Sequence, residues 1–251
     1  MNVAMILAGG VGSRVGAPVP KQFIEVAGKP ILIHTLEIFQ RDALVDAIEI
    51  VCIRSHMDVI WDMVERFGIT KVRWICQGGD TFQQSVLNGM DHLENVARLD
   101  DDDIVLIHFG VSPFVTEAII DDSIRVCEAH GNGIASDPCV LCMCRKQPEN
   151  PACSTEGLDR ETLMGLNSPQ TFRLKYLRDL YDEGFAHDIW DELDDPHTTT
   201  LMLALGRELY FSRSTQANIK ITTPEDVELF EGYVLARQLK EERTKSAQTK
   251  E

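Results

Sequence analysis

The stretch Leu7-Ala-Gly-Gly-Val-Gly-Ser-Arg-Val-Gly-Ala-Pro-Val-Pro-Lys-Gln-Phe23 decides the reading of this chain. It follows directly on the apolar run Val3–Leu7, which has the composition of a buried strand. Glycines just after such a strand let backbone N–H groups approach an anion closely, as loops that cradle phosphate require. Arg14 and Lys21 bring two cations to the same loop. A tight strand-to-helix turn and a dinucleotide-binding turn are the competing readings. Against the second, Pro18 and Pro20 interrupt the long helix that a dinucleotide site needs after its glycines. The P-loop pattern also fails, because no lysine followed by Ser or Thr closes the loop.

Outward from this loop, apolar β-branched runs alternate with segments of helical period. Strands are expected at Val3–Leu7, Ala47–Ile53, Val72–Gln77, Ile104–Phe109, Gly133–Cys144 and Leu209–Ser212, and helices at Ile31–Gln40, Met57–Phe67, Thr81–Val96 and Thr116–His130. The alternation predicts an α/β fold, a doubly wound, mostly parallel Rossmann-like sheet, in one domain over residues 1–240. Ligands in such sheets bind beyond the carboxyl ends of the strands, which directs attention to loops 8–22, 78–85 and 108–115. Residues 137–158 break the pattern and are expected to project as an arm used for dimerisation. Further helices are expected around Leu174–Phe185 and Thr198–Leu205. The last helix has a strong start signal, with Thr223 to cap it and Pro224, Glu225 and Asp226 in its first turn. The polar tail 241–251 is expected to fray.

Composition narrows the function. A formal charge of −16 opposes binding to duplex nucleic acid, though a small anion remains possible where a few cations converge. No apolar run reaches the roughly 20 residues of a membrane span, and the beginning of the chain has no basic leader, so a cytoplasmic protein is expected. Cys139, Cys142, Cys144 and Cys153 give C-x-x-C-x-C without a convincing second half, so buried strand cysteines are the simpler reading than structural zinc. The Asp100–Asp103 run reads as a solvated loop.

Several motifs occur together and in order: Leu7-Ala-Gly-Gly-x-Gly-x-Arg14, Pro20-Lys-Gln-Phe23, Gly28-Lys-Pro-Ile-Leu-Ile-His-Thr-Leu36, Gly78-Gly-Asp80 with Ser85-Val86, Asp159-Arg160, Ser168-Pro-Gln-Thr-Phe-Arg173 and Asn218-Ile-Lys-Ile-Thr-Thr-Pro-Glu-Asp226. In this the chain resembles the sugar-alcohol-phosphate cytidylyltransferases, which act on 2-C-methyl-D-erythritol 4-phosphate or ribitol 5-phosphate. The resemblance implies transfer of CMP from CTP to a polyol phosphate, with Mg²⁺ or another divalent cation, in an isoprenoid or cell-surface polysaccharide route. It implies that Arg14, Lys21 and Lys220 are catalytic and that Ala8, Gly9, Gly10, Gly12, Gly78, Gly79, Asp80 and Ser85 bind CTP. His108, Arg160 and Thr198 fall on the acceptor side, Arg160 reaching over from a partner subunit's arm in a homodimer. No metal ligand is assigned.

The departures are as informative. Where the family reads His-Asp-x-x-Arg-Pro, this chain has His108-Phe109-Gly110-Val111-Ser112-Pro113, and in the loop that the resemblance implies reads cytosine Phe82 replaces a second arginine. The usual Thr-Asp pair gives way to Asp195-Pro196-His197-Thr198-Thr199. A phenylalanine neither ligates Mg²⁺ nor accepts a hydroxyl hydrogen bond. The triphosphate half therefore reads as intact and the acceptor half as rebuilt, with His108, His197, Asp194 and Asp195 as replacement polar groups. The alternative is a nucleotide-binding homologue with lost or altered catalysis.

Overall fold

The computed structural model describes residues 1–10 and 19–248. Eleven strands lie among these residues: β1 (Asn2–Leu7), β2 (Glu25–Val26), β3 (Lys29–Pro30), β4 (Ala47–Cys52), β5 (Val72–Gln77), β6 (Ile104–Phe109), β7 (Asn132–Pro138), β8 (Met143–Arg145), β9 (Glu156–Leu158), β10 (Met164–Arg173) and β11 (Phe211–Arg213). The α-helices are α1 (Ile31–Arg41), α2 (Met57–Arg66), α3 (Phe82–Asn95), α4 (Glu117–His130), α5 (Leu174–Ala186), α6 (Thr198–Ala204) and α7 (Pro224–Gln248).

Seven strands form one sheet in the order β11-β7-β10-β6-β1-β4-β5, and all run parallel except β10, which is antiparallel to both of its neighbours. The fold is thus the mostly parallel α/β sheet that the alternation predicts. Successive side chains of a strand face opposite sides, and each inner strand feeds two cores. From β1, Ala4 and Ile6 join the core beneath α1, α2 and α4, while Val3 and Met5 join the core beneath α3, α5 and α6. The strand β6 divides in the same way, Leu106 to one side and Val105 and Ile107 to the other.

Four readings need correction. The strand expected over 133–144 stops at Pro138 and resumes only as the short strand β8, which pairs with β9 in a separate two-stranded ribbon. The last strand is Phe211–Arg213 instead of Leu209–Ser212. The last helix runs further than residue 240: α7 continues to Gln248 through Lys, Glu, Arg, Ala and Gln, which favour helix. The arm cysteines are not buried, since Cys142, Cys144 and Cys153 are exposed and Cys139 is half-buried.

The strand β10 was not anticipated. Pro169 cannot donate to a ladder, which argues against a central strand at 164–173. The chain accommodates it at a break in the β7 pairing between Leu166 and Gln170, so no ladder bond is asked of the proline. Among the described residues no helix is long and apolar enough to cross a membrane.

The packing of α4 on β7 is close enough to require glycine at one position. A Cβ on Gly133 would meet the Ser123 carbonyl oxygen and lie 3.1 Å from the Cys127 amide nitrogen, both backbone atoms that cannot swing away. Gly133→Ala should therefore destabilise the fold by about 2–3 kcal/mol in urea unfolding, the upper part of the overpacking range. An unchanged midpoint would contradict this packing.

Candidate functional site

The carboxyl ends of β1, β4 and β5 open into a cleft of about 350 Å³. Its lining includes Gly9, Gly10, Lys21, Gly79, Asp80, Ser85 and Lys220, together with Phe82, Phe109 and His197. Residues separated by more than 200 positions therefore meet in one concave site, of a size suited to a small ligand.

The wall after β1 is set by backbone pairing. The Ala8 amide donates to the Val51 carbonyl (2.8 Å) and the Gly110 amide to the Leu7 carbonyl (2.9 Å), continuing the sheet one residue past its strands. Gln22, almost fully buried, donates from Nε2 to the Ala8 carbonyl (3.0 Å), which fixes the far side of the glycine loop to its base. Lys21 then points across the cleft, its Nζ donating to the Ile221 carbonyl (3.1 Å). A Cβ on Gly10 would touch Lys21 Cε at 3.9 Å, so lysine and loop backbone are neighbours. Gly12 and Arg14 lie outside the described residues.

The 78–85 wall is a strand-to-helix turn. Thr81 caps α3, its side chain accepting from the Gln84 amide (3.2 Å). Ser85 Oγ accepts from the Gly79 amide (3.1 Å) and donates to the Gly79 carbonyl (3.2 Å), closing the turn on itself. Gly78 is required here, because a Cβ would stand 2.9 Å from Ser85 Oγ, and one on Gly79 would enter the Gln84 side chain. Gly78 stands behind this wall and Asp80 is exposed at its rim.

The third wall comes from the segment before α7. The Ile221 amide donates to the Val111 carbonyl (2.8 Å), and Asn218 Nδ2 donates to the Ser168 carbonyl (2.8 Å). Asp226 accepts from the Thr222 and Thr223 amides (2.7 and 2.8 Å), while its own amide donates to Thr223 Oγ1 (3.3 Å). This is a reciprocal cap of the kind the sequence signals. Partial burial works against the Asp226 carboxylate, but these hydrogen bonds outweigh it and hold Asp226 below the usual carboxylate range. Lys220 is carried into the cleft by this braced segment, with its Nζ 3.5 Å from the centroid of the Phe109 ring.

The acceptor-side expectations fare differently. His108 is fully buried and does not line the cleft. Its Nε2 bonds the Ser112 carbonyl (3.0 Å), its ring packs on Phe39, and burial pushes its pKa down to about 4. Thr198 is also buried, bonded to the Tyr181 hydroxyl (2.9 Å). Arg160 sits on the arm, donating to the Val140 carbonyl (3.2 Å) and paired with Glu161. The histidine that does reach the cleft is His197, at the start of α6. Its ring centroid lies 4.6 Å from that of Phe82 in a tilted contact and 6.5 Å from that of Phe109 edge-on, and its Nδ1 lies 2.7 Å from Asp195 Oδ1. Phe82, Phe109 and His197 thus form one aromatic wall. The residues the sequence flagged as departures pack against one another.

The sequence model of the IspD family, 2-C-methyl-D-erythritol 4-phosphate cytidylyltransferase, matches residues 2–236. The chain is 38% identical to a ribitol-5-phosphate cytidylyltransferase of Lacticaseibacillus paracasei, over 95% of this chain and all of that protein. It is 37% identical to a 2-C-methyl-D-erythritol 4-phosphate cytidylyltransferase of Geobacter metallireducens, over 92% of this chain and 96% of the other. The fold superposes on the crystal structure of 4-diphosphocytidyl-2C-methyl-D-erythritol synthase from Anaerococcus prevotii with a TM-score of 0.77, at 24% identity, covering 94% and 96% of the two chains.

Ser85 tests the turn directly. Ser85→Ala removes both bonds to Gly79, and should cost about 1 kcal/mol of stability while speeding hydrogen exchange at the Gly79 amide. Exchange unchanged at that amide would show that the turn holds without the hydroxyl.

Proposed function

The chain belongs to the IspD cytidylyltransferase family, and from that premise we propose that it transfers CMP from CTP to ribitol 5-phosphate with release of pyrophosphate. The observation that carries the proposal is the meeting of Gly9, Gly10, Lys21, Gly79, Asp80, Ser85 and Lys220 in one cleft. Ribitol 5-phosphate is favoured because the relative named for it is the more similar of the two, 38% over its whole length.

In the reaction an oxygen of the acceptor phosphate attacks the α-phosphorus of CTP. The new P–O bond forms as the bond from the α-phosphorus to the bridging oxygen breaks, and pyrophosphate leaves with that electron pair. Such a transfer asks the protein for position and charge compensation, with no covalent intermediate. The backbone amides of Gly9 and Gly10 cradle the triphosphate. Lys21 and Lys220 enter from opposite walls and stabilise charge growing on the α-phosphate oxygens. The turn at Gly78, Gly79, Asp80 and Ser85 receives the base, where a carbonyl or carboxylate accepting from the exocyclic amine favours cytosine over uracil.

Asp80 is the one carboxylate among the described lining residues, and Phe109 stands where the family has another. With Asp80 at the base turn, this donor set does not fit a resident ion, and a cation would arrive on the triphosphate oxygens themselves. Mg²⁺ bound in this way would offset charge on the departing pyrophosphate. At the acceptor end Phe82, Phe109 and His197 replace charged groups with an aromatic face, and His197 supplies the hydrogen-bonding edge for a hydroxyl. Arg160 serves the acceptor phosphate from the arm of a second subunit, which makes the working unit a homodimer in the cytoplasm.

With CTP and Mg²⁺, pyrophosphate release should be faster, as kcat/KM, for ribitol 5-phosphate than for 2-C-methyl-D-erythritol 4-phosphate. Lys21→Ala should lower kcat by about 10²–10³-fold, as loss of a charge-stabilising group does. A preference for the methylerythritol substrate would overturn the acceptor assignment, and an unchanged Lys21→Ala rate would remove that residue from the mechanism.

A further inference from the structure

Among the described residues, one cluster of metal-binding side chains lies outside the cleft and has no part in the transfer. Glu49 on β4, Cys76 on β5 and His92 on α3 each offer one ligand atom, and these atoms all lie within 4.8 Å of one another. We infer that Glu49, Cys76 and His92 form a binding site for a divalent transition-metal ion, Zn²⁺ in class, that ties α3 to the sheet.

The placement follows from the register of the sheet. Along β4, Ala47 and Val51 face the core beneath α3, and Glu49 shares their side of the pleat. Cys76 stands opposite Val51 on the neighbouring strand and faces the same core. His92 comes down from the helix above, Nδ1 2.7 Å from Glu49 Oε1.

Glu49 is the anomaly that points to a ligand. Its side chain is fully buried in the mainly apolar core beneath α3, its second oxygen, Oε2, has no partner within hydrogen-bond distance, and the Cys76 thiol is the other polar group that faces the carboxylate. A buried carboxylate with one oxygen unsatisfied is costly, and a cation is what such a group accepts. The three donors are a thiol, an imidazole and a carboxylate, a set suited to zinc at about 2.0–2.3 Å from each. Around a tetrahedral ion two such ligand atoms stand roughly 3.3–3.8 Å apart, so on binding the His92–Glu49 hydrogen bond opens and the three atoms, within 4.8 Å of one another, settle about the ion. His92 is partly exposed and gives the ion a route in from solvent, and the thiol proton leaves by the same route.

The position matters for the enzyme. Val51 lines the cleft two residues beyond Glu49, the Gly78-Gly79 turn begins two residues beyond Cys76, and α3 carries Phe82 and Ser85 at its other end. An ion here would join the three elements that hold the base-binding turn, from beneath.

The exposed arm cysteines would also bind zinc, so the test uses the full chain carrying Cys139→Ser, Cys142→Ser, Cys144→Ser and Cys153→Ser. Metal-stripped protein is titrated with Zn²⁺ alone, followed by metal content after dialysis and by melting temperature. Co²⁺ replaces Zn²⁺ for absorption spectroscopy. The expected result is one ion bound per chain, a raised melting temperature and a thiolate-to-cobalt absorption band. Adding Cys76→Ser should abolish the band, and adding His92→Gln should weaken binding at least about tenfold. Should Cys76→Ser not fold, His92→Gln, at a partly exposed helix position, decides alone. No retained ion, or equal retention in the His92→Gln chain, overturns the inference.

Discussion

The pairing of β1 between β4 and β6 is the constraint on which the rest of the molecule depends. It continues one residue beyond the strands, through Ala8 to Val51 and Gly110 to Leu7, and so fixes where three loops leave the sheet. From there Gln22 ties the chain after Lys21 to Ala8, and the Ser85 bonds close the Gly78–Gly79 turn. The segment that carries Lys220 is anchored to the same edge through Ile221 and Val111. Two lysines about 200 residues apart in sequence face one space because of this common edge. Neither position follows from local propensity, since both are consequences of which strand lies beside which.

The inner strands were legible in the sequence because each is an apolar β-branched run buried on both faces. The strand β10 was not, because Pro169 breaks the pattern and only the bulged pairing with β7 makes room for it. In the site, Lys21, Lys220 and the two glycine turns were legible as motifs, each with local reasons for its residue types. His108 was placed with the ligand although the parity of β6 already contained the answer. It shares its side of the strand with Ile104 and Leu106, which enter the core, and it follows them to pack on Phe39. His197 could be named as a candidate but not placed, since no periodicity governs the loop before α6. Its neighbours come from elsewhere in the chain, Phe82 from the start of α3 and Phe109 from the end of β6.

The substitutions at the acceptor end form a connected set. Phe109 takes the place of a carboxylate and lies under the Lys220 ammonium, so the lysine keeps an electrostatic partner of weaker, quadrupolar kind. Phe82 replaces an arginine and packs on His197, and Phe109 touches both rings. Changes that pack together in this way read as a pocket rebuilt around a different polar group, while Gly9, Gly10 and Lys21 still line the cleft. In the mechanism proposed above, such a change leaves charge compensation intact, because the acceptor's own phosphate is the nucleophile and needs no base.

The central claim, that the cleft passes the α-phosphoryl end of CTP to a polyol phosphate, is tested most directly by following the label. With CTP carrying radioactive phosphorus at the α position and ribitol 5-phosphate as acceptor, the label should appear in a CDP-linked product. With the label at the γ position it should appear in pyrophosphate alone. Appearance of the α label as free CMP, with none joined to the acceptor, would contradict the account.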